Sequence, residues 1–320
     1  MNDSLEIDRM NENGRILIIK GERDNFQKYY NDRFAANNVT VLRSEQLTGH
    51  AKGKLQGFRE TWKSVRDLAK IGYFDPFEKI IIFEELTNLI PVVRWLKRRP
   101  SRIIYWTWNK VDDSRFSFSK LKVLIGKRLA ESWTFDDGDA ERYHLKLNPQ
   151  YFEWGGDTLS EKNETDLCFV GFDKGRYGKL KELKKYCREN GFSYLFRLIR
   201  DGSSIYDDSD IDLFSDGMIN YTQLLSFEQR SRAIVDLVRE GQTGYTLRSI
   251  EAVAFDKKII TNNVHNKDSQ FYSPEAVYIL GEDKRVLKDF LLLPFSGYPE
   301  PVKKYYNIAN WLKRFDDVEE

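Results

Sequence analysis

Residues 232–261 read RAIVDLVREGQTGYTLRSIEAVAFDKKIIT. A short apolar run, RAIVDLV (232–238), gives way to REGQTGYT, rich in small and hydroxyl residues. LRSIEAVAF then places Leu247, Ile250 and Ala254 on one helical face, and KKIITN (257–262) closes the stretch. Continuous apolar runs of this length are strands buried on both faces. Strand, loop, helix and strand in that order make a βαβ unit. Thr246 stands where its hydroxyl caps the helix. Gln242, Thr243, Gly244 and Tyr245 then lie at the amino end of the helix. Unpaired N–H groups and the helix dipole favour an anion such as phosphate there, and Gly244 permits close backbone approach. Arg248 and Glu251 are three residues apart and share a helix face. A cation suits a diphosphate and a carboxylate suits ribose hydroxyls. The same residues equally make a surface ion pair behind an ordinary cap, and the local pattern leaves both open.

The alternation extends in both directions. Upstream, RILIIK (15–20), KIIIF (79–83), RIIYW (102–106) and SWTF (132–135) are strand-like. NFQKYYNDRFAA (25–36), FRETWKSVRDLAKIG (58–72), LTNLIPVVRWLKRR (86–99) and SFSKLKVLIGKRLA (117–130) separate them as helices. EWGGDTLSEKNET (153–165) is polar and non-periodic, as a linker would be. The pattern restarts with the strands DLCFVG (166–171) and SYLFRLI (193–199) around the helix RYGKLKELKKYCREN (176–190). NYTQLLSFEQR (220–230) is a short helix before the opening stretch. AVYIL (276–280), KRVLKDFLL (284–292) and VKKYYNIANWLKRF (302–315) complete the chain as a strand and two helices. The expected fold is α/β: two Rossmann-like domains facing a cleft, residues 1–155 and 156–298, with 299–320 a helix returning to the first. Open α/β sheets bind ligands beyond the carboxyl ends of their strands, and domain interfaces favour pockets.

Composition sets bounds. The 320 residues include 51 basic and 50 acidic side chains, a net charge of +1, so no global field points to nucleic acid. Hydrophobic residues make up 41% and charged residues 32%, enough for a sizeable core and a solvated surface. Cys168 and Cys187 are too few for a disulfide scaffold or a CxxC metal site, and Cys168 lies in an apolar run as a core filler. His50, His144 and His265 are scattered without metal-ligand spacing. The opening MNDSLEIDRMNENG lacks a signal peptide's apolar segment. No apolar run approaches the roughly 20 residues that span a bilayer. The cytoplasm is the expected compartment.

GYTLRSIEAVAFDKKIITNN (244–263) resembles the donor-binding segment of GT-B glycosyltransferases, especially bacterial ones that assemble capsule, exopolysaccharide or lipopolysaccharide sugars. The resemblance implies that Glu251 binds the donor ribose. It implies that Thr243, Gly244 and Thr246 touch the diphosphate, with Gln242, Tyr245 and Arg248 nearby. CFVGFDKGRYGKL (168–180) is similar to the loop after the first strand of the second domain. This implies donor contacts from Gly171, Asp173, Gly175 and Arg176. INYTQLLSFEQRSRAIVDL (219–237), with Tyr221, is similar to the lining of the base pocket. WTFDDGDAERYHLKLNPQYF (133–152) is similar to the segment that closes the first domain. The implied activity is metal-independent transfer of a sugar from a nucleotide sugar to an acceptor hydroxyl on a surface polysaccharide or lipid-linked glycan. Arg176 and Arg248 would stabilise the departing diphosphate. No cofactor or metal is expected. Many retaining members carry a second Glu seven residues before the ribose Glu; here that position is Gly244, so inversion or retention stays open. A sugar-nucleotide epimerase and a non-catalytic GT-B-like binding protein share the architecture.

Four further stretches are candidates. YWTWNKVDD (105–113) offers Trp106 and Trp108 for sugar stacking and Asp112 or Asp113 as general base. The alternative is a core Trp and helix-capping aspartates. KGERDNF (20–26) offers Glu22 and Asp24 as other bases, with Asp24 equally an N-cap. WLKRRPSR (95–102) concentrates Lys97, Arg98, Arg99 and Arg102, which would suit peripheral contact with an anionic membrane. YDDSDIDLFSDG (206–217) has the Asp spacing of a metal site, but a solvated loop is the expected state of such a charge run.

Overall fold

The computed structural model describes residues 15–22, 24–48, 54–84, 89–111, 116–156, 162–215, 217–239 and 241–317. They fall into two compact units divided between Asn148 and Pro149. In the first, β1 (Ile16–Lys20), β2 (Thr40–Arg43), β3 (Lys79–Phe83), β4 (Arg102–Thr107), β5 (Glu131–Thr134) and β6 (Lys146–Leu147) form one parallel sheet in the order β2-β1-β3-β4-β5-β6. The helices α1 (Asn25–Ala36), α2 (Ser44–Thr48), α3 (Lys54–Lys70), α4 (Leu89–Leu96), α5 (Phe116–Gly126) and α6 (Asp137–Tyr143) lie between the strands in sequence. β1 and β3 are buried at every position, which is why they show apolar runs and not alternation. Leu17, Ile19, Ile80 and Ile82 join one core cluster with Val92, Val93 and Leu96 of α4.

The second unit repeats the plan. β7 (Thr165–Phe172), β8 (Tyr194–Ile199), β9 (Ser231–Asp236), β10 (Lys258–Thr261) and β11 (Val277–Ile279) form a parallel sheet in the order β11-β10-β9-β7-β8. The helices are α7 (Tyr177–Asn190), α8 (Tyr221–Gln229), α9 (Leu247–Ala254), α10 (Leu287–Leu292), α11 (Glu300–Tyr305) and α12 (Ile308–Arg314). Counted from its own first strand, the first unit runs 2-1-3-4-5-6 and the second 2-1-3-4-5. The chain passes to one side of the first strand, then crosses to the other. The switch between β7 and β9 is where such sheets open a crevice at the strands' carboxyl ends.

Several elements differ from the sequence-based expectation. The strand Thr40–Arg43 and the short helix after it went unrecognised, because TVLR is too brief and too polar to stand out. The final helix is two helices, because Asn307 turns out of α11 and its side chain accepts from Asn310 N–H at 2.8 Å to cap α12. These terminal helices pack within the second unit, with Trp311 against Tyr151 at 4.2 Å between ring centroids. In the acidic stretch 206–217, Asp207, Asp208 and Asp212 are exposed as expected, but Asp210 is not. The stretch forms a 3-10 turn, Asp208–Leu213, in which Asp210 is 5% exposed. The cause lies on α7: Lys184 reaches Asp210 at 2.8 Å and also bonds Asp212, while Lys181 and Arg188 of the same helix bond Asp210 and Asp212 at 3.0 Å. Tyr177 adds a hydroxyl to Asp210 at 2.7 Å. Burial works against the ionised form, but Lys184, Tyr177 and Lys181 more than offset it and hold the Asp210 carboxyl below the usual range.

Candidate functional site

Two loops meet at the β7/β9 switch. After β7 the chain turns tightly: Arg176 N–H donates to Asp173 C=O at 2.9 Å, and both central residues are left-handed, Lys174 at φ 47° and Gly175 at φ 83°. Such a turn suits Gly at the second position. Lys174 is held in its less favourable conformation by its N–H donating to Asp201 at 3.0 Å. The buried Asp173 is absorbed by the fold. One carboxylate oxygen accepts from Tyr177 N–H at 2.7 Å and the other from Tyr206 O–H at 2.9 Å. Arg176 crosses to the second loop, its Nε donating to Leu237 C=O at 2.6 Å and its Nη1 to Phe172 C=O at 3.1 Å.

The loop from Leu237 to Thr246 is pinned from below. Asn263 donates to Thr243 C=O at 3.0 Å and to Gly244 C=O at 3.3 Å, and Asn262 bonds Val238 reciprocally. Thr246 is the N-cap of α9: its hydroxyl accepts from Ser249 N–H at 3.4 Å and donates to Asp236 at 2.6 Å. The buried Asp236 also accepts from Ser249 O–H at 2.7 Å, and its other oxygen has no partner among the described residues. Gln242 is half-buried, and Tyr245 packs its ring on Phe271 at 5.1 Å.

Arg248 leaves the first turn of α9 and lies across β7. Its guanidinium donates to Val170 C=O and sits 5.0 Å from the Phe169 ring. A Cβ on Gly171 would collide with it, so glycine there makes room for the arginine. Lys174, Arg176, Arg239 and Arg248 therefore share one electrostatic environment. Burial, then the facing charge of Arg248, pull the Arg176 guanidinium down to about 10, with Arg239 adding to the effect and Asp236 opposing it. Partial desolvation, then Arg239, Arg176 and Arg248, pull the Lys174 ammonium down to about 8. Four cations within electrostatic reach of one another near strand ends and a helix amino terminus set up a positive potential there. Lys174 and Arg239 were not singled out from sequence; the KGR run and the Arg that ends RAIVDLVR were the available signals.

Glu251 lies deeper, 2% exposed, and accepts a hydrogen bond from the Tyr221 hydroxyl. Glu228 of α8, 1% exposed, faces it. Burial raises the Glu251 carboxyl to about 7, against the pull of Tyr221, Arg248 and Glu228. Burial and the Glu251 charge push Glu228 well above the carboxylate range, with Arg248 opposing. Glu228 was also missed, since a Glu inside an amphipathic helix carries no local sign of burial.

The candidate bases of the first unit that are among the described residues have local partners. Glu22 pairs with Arg43 at 2.9 Å and accepts from Asn31 at 2.9 Å. Asp24 is the N-cap of α1, accepting from Gln27 N–H at 2.8 Å. Asp112 and Asp113 lie outside the described residues. Trp106 is buried and donates to Asn148 C=O at 3.0 Å, whereas half-buried Trp108 packs on Phe26, Tyr30 and Phe83. In the basic stretch, Arg99 pairs with Asp75, Arg102 with Glu131, and Lys97 bonds the Arg128 carbonyl, while Arg98 is exposed. Among the described residues no group of three or more His, Cys, Asp or Glu is placed to hold a metal ion. No helix among them is long and apolar enough to cross a membrane.

No protein-family model matches the chain, and no curated protein does. Solved structures are similar in fold. One is a UDP-GlcNAc 2-epimerase from Methanocaldococcus jannaschii, with a TM-score of 0.49 and 10% identity over 94% of this chain and 98% of that one. Another is the glycosyltransferase SnogD from Streptomyces nogalater, with a TM-score of 0.39 and 12% identity over 79% and 83%. A third is CalG4, the calicheamicin glycosyltransferase, with a TM-score of 0.37 and 11% identity over 95% and 97%.

Proposed function

We propose that this protein is a glycosyltransferase that binds the diphosphate of a nucleotide sugar at the β7/β9 switch and passes the sugar to an acceptor hydroxyl of a surface polysaccharide or lipid-linked glycan. The observation that carries the reading is the joining of the β7 and β9 loops, with Arg176 on the Leu237 carbonyl and Arg248 on the Val170 carbonyl, in two segments that resemble parts of a GT-B donor site. These two arginines are matched to a dianion whose charge grows as the glycosidic bond breaks. Fixed guanidinium groups stabilise that charge without reorganising at the moment of reaction. The reading requires no metal. Epimerisation of a nucleotide sugar would draw on the same diphosphate contacts and differs in needing no acceptor.

The direct test is thermal unfolding with UDP, GDP, dTDP and CMP. A nucleotide at 100 times its dissociation constant should stabilise the protein by about 2.7 kcal/mol. A flat response to all four removes the nucleotide-sugar reading. Incubating the responding nucleotide's sugar with and without acceptor glycans then separates transfer from epimerisation.

The acceptor would be met at a membrane surface through Lys97, Arg98 and the exposed Arg128, since Arg99 and Arg102 are neutralised by Asp75 and Glu131. Each basic residue near an anionic surface contributes about 1 kcal/mol. K97E/R98E should therefore lower cosedimentation with phosphatidylglycerol vesicles by more than about tenfold at low salt. Equal sedimentation of the variant and the wild type removes this contact.

A further inference from the structure

The Glu228–Glu251 pair is not explained by anion binding alone. Both carboxyls are buried, one on α8 and one on α9. No N–H or O–H donor among the described residues reaches either oxygen of Glu228. The acid nearest to it in charge is Glu251, on the helix packed beside α8. A buried carboxylate with no donor is costly to ionise beside a second buried carboxylate, so the pair holds a proton. The other groups facing the pair are Tyr221 on α8, Arg248 on α9, Asp236 at the end of β9, and the buried thiol of Cys168 on β7. Arg248 is the one cation among them. Its Nε is buried without a partner among the described residues, while its Nη2 is fixed on Val170. Arg248 thus links the diphosphate site above to the acid pair below.

We propose that Glu228 is a positioning residue that shares one proton with Glu251, and that an anion bound beside Arg248 draws a further share of a proton into this pair. An anion offsets the field of Arg248, which favours the ionised carboxyls, so the occupied site holds the proton more tightly. By linkage, the ligand binds more weakly as pH rises and the pair loses its proton. The protonated Glu228 donates to Glu251 and holds that carboxylate in place against Tyr221.

This inference rests on the proposed diphosphate site, and the experiment separates the two. Binding of UDP-glucose and GDP-mannose, diphosphate diesters with no proton of their own titrating near neutrality, is measured by calorimetry at pH 7 in buffers of different ionisation enthalpy. Wild-type protein should take up a fraction of a proton per ligand. Its affinity should fall by up to about tenfold per pH unit above 7. E228Q keeps a donor to Glu251 but has nothing to titrate. It should bind with wild-type affinity at pH 6.5, take up less proton, and show a nearly flat affinity to pH 8.5. Lys174 titrates identically in both proteins, so the difference belongs to the pair. E251Q cuts the pair from the other side and must also lose uptake. Tight binding with equal proton uptake in all three proteins overturns the inference and leaves the diphosphate site standing. If neither ligand binds the wild type, the inference falls together with the proposed function.

Discussion

R176A/R248A is expected to lose nucleoside-diphosphate binding by about 100-fold or more. A hydrogen bond to a charged group contributes about 1.5–3 kcal/mol, roughly tenfold or more for each arginine. The two are positioned differently. Arg176 is fixed by Leu237 and Phe172 carbonyls, and Arg248 by Val170 and the Phe169 ring. Each therefore meets a ligand with little rotamer entropy left to lose, which favours tight binding. Calorimetric titration with the responding nucleotide gives the number, and circular dichroism checks that the fold persists. R176K and R248K should recover part of the affinity, since they restore charge without the planar fork. Affinity within threefold of wild type in the double alanine variant would place the diphosphate elsewhere.

Lys184→Ala is expected to destabilise the second unit by about 3–5 kcal/mol, the cost of leaving a buried carboxylate without its cation. Lys184 is 4% exposed, and Asp210 receives its ammonium at 2.8 Å. Replacing both residues with leucine should return most of that loss, because the charge is then absent as well. Chemical denaturation of the three proteins decides. A K184A midpoint within error of wild type would mean that Lys181 and Tyr177 suffice. The same network sets an acid limit. The Asp210 carboxyl is held below its unfolded value, so its stabilisation is complete above a pH of about 4 and is lost as pH falls through the lower native value.

Much of the fold was legible because burial on both faces leaves a signature in the chain itself. ILIIK, KIIIF and KIIT have no alternation to mistake for a surface strand, and amphipathic helices separate them. Thr246 was legible as a cap because capping is settled within three residues. The burial of Asp210 within the acidic run was not legible, because like charges alone predict solvation and the lysine that pairs with it sits on a helix 26 residues earlier in the chain. The bond that Asp173 receives from Tyr206 was not legible, because that partner lies 33 residues away.

By itself the sequence determined the two α/β units, the strand-loop-helix segments and the small residues at their ends, all consequences of local periodicity and backbone preference. Only the tertiary structure decided which of those ends share a site. The 2-1-3-4-5 order lays β7 beside β9, so Arg176 meets Leu237 across 61 residues and Arg248 meets Val170 across 78. Charges so joined alter one another's proton affinity because they are near one another and partly desolvated. Distance and hydration are properties of packing, and no window of the chain contains them.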